Sequence, residues 1–250
     1  MARCALVEVN YFSVVESGHE QQNPCSVDGL RRVAGYLDPQ PGERVLDVGG
    51  GRGWWAVDLA VRHGVSVTVL EINPDFADAA RRRAADAGVA DRVEVVVGPA
   101  AEHHARDTDI VTCLGASFAL DGSGPALAWM TQAMGAGGRI AIGEIHVAAG
   151  APREVAGHEA DDLAGLAAAF GAHGLELTGL VSSTVADWDH YESQHWASVA
   201  DWTQAHPDHP DHPDRAELLR LSHHHRDVYL REMRAELGWS VLVGRRAHAA

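Results

Sequence analysis

The chain has 250 residues, 46% of them apolar, and a formal net charge of −15. That size suits one α/β domain with a full core plus additions, and the composition excludes a disordered or fibrous chain. The acidic balance argues against nucleic acid, which selects a basic face, and against anionic membranes.

All twenty basic residues are arginine, which reads as genome composition rather than function. No charged-then-apolar leader and no apolar run of membrane length is visible, so a cytoplasmic protein is expected. Cys4, Cys25 and Cys113 are odd in number and lack disulfide or zinc spacing, so reduced thiols are expected.

Residues 1–43 are expected to form a helical cover, in which Pro24 breaks the chain and Ser26 caps a helix over VDGLRRVAGYL. Arg44 to Val48 reads as strand one. Glycines 49, 50, 51 and 53 then make a tight turn before a helix, WWAVDLAVRHG. Glycine allows so sharp a bend and lets a ligand lie against bare backbone, and the helix aims its first N–H groups into the turn. VSVTVL is strand two, closed by Glu71, 20 residues beyond Gly51. A doubly wound fold puts a ribose-binding acid at that distance, and a carboxylate accepts from both hydroxyls of a diol. A solvated charge at a strand end is the plainer alternative.

Pro74 opens the next helix, Arg92 to Val97 is strand three and Asp109 to Leu114 is strand four. A helix near 125–134 leads to strand five, Arg139 to Gly143, ending at Glu144. A helix over 159–173 leads to strand six, 175–183. Strands alternating with helices imply a parallel sheet with right-handed crossovers, and ligands collect beyond the carboxyl ends of its strands. Residues 187–204 bring Trp188, Tyr191, His195, Trp196 and Trp202 near one helical face, as core or as a lid over a pocket. HPDHPDHPD at 206–214 could align histidines on a polyproline II edge, although an exposed stiff connector is the plainer reading. No metal site is expected. GWSVLVGRR at 238–246 is a last, antiparallel strand. The expected divisions are 1–43 cover, 44–186 core, 187–237 helical lid with the His-Pro-Asp loop, and 238–250 strand and tail, all within one domain.

VLDVGGGRG, Glu71, DRVEVVVG, DIVTCLGAS and GGRIAIGE, in that order, resemble the motifs of class I S-adenosyl-L-methionine (SAM) methyltransferases. The flanks, His19-Glu20 with Asn23-Pro24 and Ser26, Trp188 with Tyr191-Glu192 and Trp196, and Leu237-Gly238-Trp239, resemble a bacterial small-molecule subgroup. The resemblance implies a Rossmann-like, seven-stranded, mostly parallel sheet with an antiparallel last strand and helices on both faces. It implies SAM as cofactor, with Asp47, Gly49, Gly50, Gly51 and Gly53 facing its methionine part. Glu71 would hold the ribose, Ile72 would pack on adenine, and Pro99, Ala100, Ala101 and Glu102 would frame the adenine edge. Leu114 would lie beside the sulfonium. Pro99 stands where the family often has an adenine-binding Asp, and it carries no acceptor side chain and no N–H.

The implied reaction is methyl transfer to a small-molecule acceptor, in specialised metabolism, with a homodimer as a possible assembly. A base is needed only for a nucleophile that arrives protonated. His19, Glu144 and His146 are the candidates, at strand ends or in the cover. Tyr11, Asn23, Ser117, Tyr191 and Trp196 are candidates to contact the acceptor. SAM chemistry without methylation, or a non-catalytic protein on the same scaffold, stays open at this point.

Overall fold

The computed structural model describes residues 11–206 and 215–247, the His158 side chain excepted. Cys4 and the repeat from residue 207 to 214 lie outside the described residues. Residues 11–15 are helical. Helix α1 (Val27–Leu37) follows, and Ser26 caps it by accepting from Gly29 N at 3.2 Å. Its buried Leu30, Val33, Ala34 and Leu37 recur at helical spacing and form one apolar stripe.

Seven strands make the sheet: β1 (Arg44–Val48), β2 (Ser66–Glu71), β3 (Val93–Val97), β4 (Thr108–Leu114), β5 (Met134–Val147), β6 (Leu175–Ser182) and β7 (Leu237–Arg246). Their order is 3-2-1-4-5-7-6. Pairs β1–β2, β1–β4, β2–β3 and β4–β5 are parallel, and β7 runs antiparallel between β5 and β6. The order reverses beside β1, so the carboxyl ends of β1 and β4 open a crevice at that point.

Alternation along the central strands sends side chains into two cores. Val45, Val67, Val69, Ile110 and Ala141 pack with α1 and with α2 (Trp54–His63), while Ala84 of α3 (Pro74–Asp86) joins the same cluster. Leu46, Val48, Leu70, Val111, Ile140 and Ile142 pack on the other face, against α4 (Ser123–Ala133) and α5 (Leu163–Ala172). Strands covered on both faces read as near-continuous apolar runs, as β1, β2 and β4 do.

Three elements differ from expectation. Strand β5 runs 14 residues, not five, because β7 pairs with it from Arg139↔Arg245 to Val147↔Leu237. The helix expected from 159 begins at Leu163, capped by Asp162, and a two-residue ribbon of Glu154–Val155 with His158–Glu159 precedes it. Between β3 and β4 only the single turn Ala100–Glu102 interrupts the connection. Long α6 (Val185–Ala205) lies over the carboxyl end of the sheet, followed by α7 (Arg215–Val228), a π-helical segment Tyr229–Met233 and the turn Arg234–Glu236. No helix among the described residues is long and apolar enough to cross a membrane.

Candidate active site

The glycine turn is fixed by sterics. Gly49, Gly51 and Gly53 have φ of 64°, 56° and 77°, a region that side-chain-bearing residues rarely adopt. A Cβ on Gly49 would meet Ala116 Cβ at 2.2 Å, and one on Gly53 would meet Ala80 Cβ at 2.7 Å. The turn is therefore pinned between β4 and α3.

Asp47 is buried beneath it. Thr112 Oγ1 donates to Asp47 Oδ1 at 2.7 Å, while Oδ2 has no partner among the described residues. Burial pushes this carboxyl up to about 7, with the Thr112 hydrogen bond opposing and the Glu71 charge adding to the rise. A Cβ on Gly50 would sit 2.5 Å from Oδ2, so glycine there leaves the orphan oxygen open to the turn. Glu71 closes β2 and reaches back: Oε2 accepts from Gly51 N at 2.9 Å and Oε1 from Asn73 N at 2.8 Å. Each oxygen keeps a further lone pair. Burial raises this carboxyl above the ordinary range, and those backbone donors hold part of the rise back. Ile72 beside it is 67% exposed, an apolar side chain held in solvent. Pro99 is exposed and Ala100 buried, while Ala101 and Glu102 are exposed on the turn that follows β3. Gln22 crosses the glycine turn, its Oε1 accepting from Arg52 N at 2.6 Å. Leu114, Asn23 and Gln22 share with Asp47 and the turn a small void of about 40 Å³.

Beyond the ends of β4 and β5 lies a cavity of about 720 Å³. Asn23, Ser117, Glu144, Tyr191, His195 and Trp239 are among its walls. Glu144 Oε1 is buried without a partner among the described residues. Burial pushes the Glu144 carboxyl up to about 7, and the neighbouring Ser117 hydroxyl holds part of that rise back. A wider groove of about 850 Å³ between α2 and α3 is lined by Arg62, Arg82 and Arg83, but no strand end opens into it.

The structure sorts the expected residues. Ser117, Asn23, Tyr191 and Glu144 meet at the cavity. His146 does not line it: Nε2 meets Ser240 Oγ of β7 at 3.0 Å and Nδ1 meets its own neighbour Val147 O at 3.2 Å, so both ring nitrogens are occupied. Trp196 packs its ring on Tyr229, with centroids 6.2 Å apart, and also lies off the cavity wall. His19 is fully buried behind that wall, with Nε2 at 3.1 Å from Tyr191 O. Tyr11 joins the small cluster around Val15, Val199 and Leu218, its hydroxyl pushed up to about 12 by burial and by the Glu192 and Glu16 charges. The aromatic face of α6 is thus shared: Trp188 belongs to the core and also borders the cavity, where Tyr191 and His195 join it.

Sequence reasoning missed Gln22, Glu16 and His225. Glu16 stands three residues before His19, a spacing that joins two side chains on a helical turn. Nothing in the sequence pairs it with His195, 179 residues away. Gln22 sits within the motif around His19 and Asn23, and only the fold carries it over the glycine turn.

A pinned glycine turn over an unpartnered acid, an acid closing β2 and this sheet order define a nucleotide-type cofactor site at the first βα junction. Residues 45–138 match the family described as a methyltransferase domain. A SAM-dependent methyltransferase from Geobacter sulfurreducens, solved with S-adenosyl-L-homocysteine, is 28% identical, with a TM-score of 0.87 over 94% of this chain and 97% of that one. The uncharacterized protein YjhP of Escherichia coli (strain K12) is 29% identical over 92% of this chain and 95% of its own. The 27-O-demethylrifamycin SV methyltransferase of Amycolatopsis mediterranei is 31% identical over 45% of this chain and 42% of its own. Residues 45–138 thus match a methyltransferase domain, and the fold as a whole is that of SAM-dependent methyltransferases solved with S-adenosyl-L-homocysteine.

Proposed function

We propose that the chain methylates a small-molecule acceptor held in the cavity beyond β4 and β5, with Glu144 as the base for an acceptor that arrives protonated. One observation carries this reading. A cavity of about 720 Å³ at the strand ends is walled in part by aromatics, and Glu144 brings to it a buried carboxylate oxygen without a partner among the described residues. Volumes of roughly 300–1,000 Å³ with few convergent polar groups are those of small-ligand sites.

The chain's own residues fit the cofactor. Asp47 Oδ2 is the unpartnered acceptor for the amino group of the methionine part, beside a turn where any Cβ would collide. Glu71 would accept from the ribose hydroxyls through its remaining lone pairs, and exposed Ile72 would cover one adenine face. Pro99 to Glu102 would border the adenine edge, where Pro99 offers no side-chain acceptor and recognition falls to backbone and packing. Leu114 would stand between turn and cavity. When bound, SAM supplies a methyl made electrophilic by its sulfonium.

What remains for the protein is alignment, exclusion of water and, for a protonated nucleophile, removal of one proton. Positioning alone supplies roughly 7–11 kcal/mol in well-oriented systems. Asn23, Ser117 and Tyr191 offer polar contacts for orientation. A carboxyl near 7 is matched to accept a proton at neutral pH.

The test incubates the purified protein with SAM and a panel of small hydroxy, amino and carboxylic acceptors, reading S-adenosylhomocysteine and product mass. Acceptor-dependent S-adenosylhomocysteine, together with an acceptor heavier by one methyl group, is expected. Glu144→Gln should lower kcat by roughly 10²–10⁴ while leaving S-adenosylhomocysteine affinity unchanged. Methylthioadenosine formed from SAM alone would replace the proposal with chemistry internal to SAM.

A further inference from the structure

We propose that Glu16, His19 and His195 form a divalent transition-metal site, of the zinc type, in the wall of the acceptor cavity. One ligand atom from each residue lies within 4.8 Å of the others. Glu16 Oε2 and His19 Nδ1 are both buried and lack hydrogen-bond partners among the described residues, yet they face each other at 3.5 Å. Two ligands about 2.1 Å from a tetrahedral ion stand about 3.4 Å apart. The pair thus has the edge of a coordination tetrahedron and not a hydrogen bond.

The surroundings point the same way. A ligating histidine donates its other ring N–H to a carboxylate or backbone carbonyl, which fixes its tautomer. His19 Nε2 lies 3.1 Å from Tyr191 O, leaving Nδ1 for the ion. His195 Nδ1 lies 3.5 Å from Glu192 Oε2, leaving Nε2, which meets Glu16 Oε1 at 2.9 Å. Glu192 is itself held by Trp188 Nε1 at 3.4 Å and His225 Nδ1 at 3.3 Å. Tyr191 Oη donates to Glu16 Oε1 at 2.8 Å, which orients the carboxylate. Every ligand therefore has an outer partner.

Three protein ligands leave one tetrahedral position, the pattern of sites that bind a water or a substrate atom. Glu16 and His195 line the cavity and His19 backs them, so that position opens toward the acceptor. The role follows from the cavity being the acceptor site: the ion would take an oxygen of a hydroxyl- or carboxylate-bearing acceptor. Metal binding itself does not depend on that reading.

The experiment uses the whole chain, stripped with a chelator and titrated with Co²⁺ and then Zn²⁺, read by visible absorption and calorimetry. Expected are one Co²⁺ per chain with the intense bands of a tetrahedral ion, displaced by Zn²⁺. Glu16→Gln, His19→Gln and His195→Gln should each weaken binding at least ~100-fold. A variant with Asn at His206, His209 and His212 should keep the bands. S-adenosylhomocysteine affinity, measured on each protein, reports folding and tests the cofactor reading separately. Wild-type chain that binds the nucleoside but no Co²⁺, bands that survive all three ligand variants, or bands lost with the repeat histidines would overturn the site.

Discussion

At the scale of single residues, the site is defined by carboxyls held against their ordinary chemistry. Asp47 and Glu144 are both pushed up to about 7 by burial, whereas an unfolded carboxyl titrates near 4. Folding therefore favours their protonated forms. The stability this gives is complete below pH 4 and is lost as pH rises through 7. Asp47→Asn should then leave the melting temperature unchanged near pH 4 and raise it progressively from pH 5 to 8, by scanning calorimetry. The same change should weaken S-adenosylhomocysteine binding by about tenfold or more, the size of a lost charged hydrogen bond. A stabilisation independent of pH would refute the assignment. For Glu144 the consequence is kinetic. With a protonated acceptor, kcat/KM should rise between pH 6 and 8 with a midpoint near 7, and Glu144→Gln should flatten that limb.

At the scale of elements, what was legible was local. Strands β1, β2 and β4 announce themselves because both faces are buried and the apolar run is near-continuous. The glycine turn announces itself because no other residue takes its backbone angles. The extent of β5 was not legible, since residues 134–138 and 144–147 become strand only through Thr108 and β7. The metal-type cluster was invisible for the same reason: Glu16 and His195 are brought together by the docking of α6 on the N-terminal segment. His146 reads in the sequence as a strand-end base, but Ser240, 94 residues on and carried by the neighbouring β7, claims it. The docking of α6 is itself testable. Thr184 and Asp187 close a capping box at its start, and Asp189 ties it to the following segment through Tyr229 Oη at 2.8 Å and Arg234 Nε at 2.8 Å. Its Arg234 arm lies at the surface and its Tyr229 ring packs on Trp188 and Trp196 of α6, so its removal should affect the roof and not the sheet. Asp189→Ala should speed amide exchange in α6 and in residues 215–236, raise KM for the acceptor, and leave exchange in β1, β2 and β4 unchanged. Uniform acceleration across the sheet would show that the tie serves global stability instead.

At the scale of the whole molecule, the sheet order gathers parts that are far apart in sequence. Reversal beside β1 brings the glycine turn, the end of β2 and the cavity walls of β4 and β5 to one edge, and the N-terminal segment and α6 close over it. A ligand at that edge touches the sheet and its cover together, so binding should stabilise the folded chain as a unit. At a ligand concentration of 100 times Kd the gain is about 2.7 kcal/mol. For a chain of this size each kcal/mol moves the midpoint by about 2–4 °C. S-adenosylhomocysteine at that excess should therefore raise the melting temperature by about 5–10 °C in a single shifted transition. Glu71→Ala removes the carboxylate that bridges Gly51 and Asn73 and that we propose holds the ribose. It should lower the starting midpoint, since the buried Gly51 N–H and the part-buried Asn73 N–H lose their acceptor, and at the same ligand concentration it should abolish most of the shift. A variant that keeps the full shift would mean that the end of β2 does not hold the sugar, and that the cofactor is gripped by the turn and its cover alone.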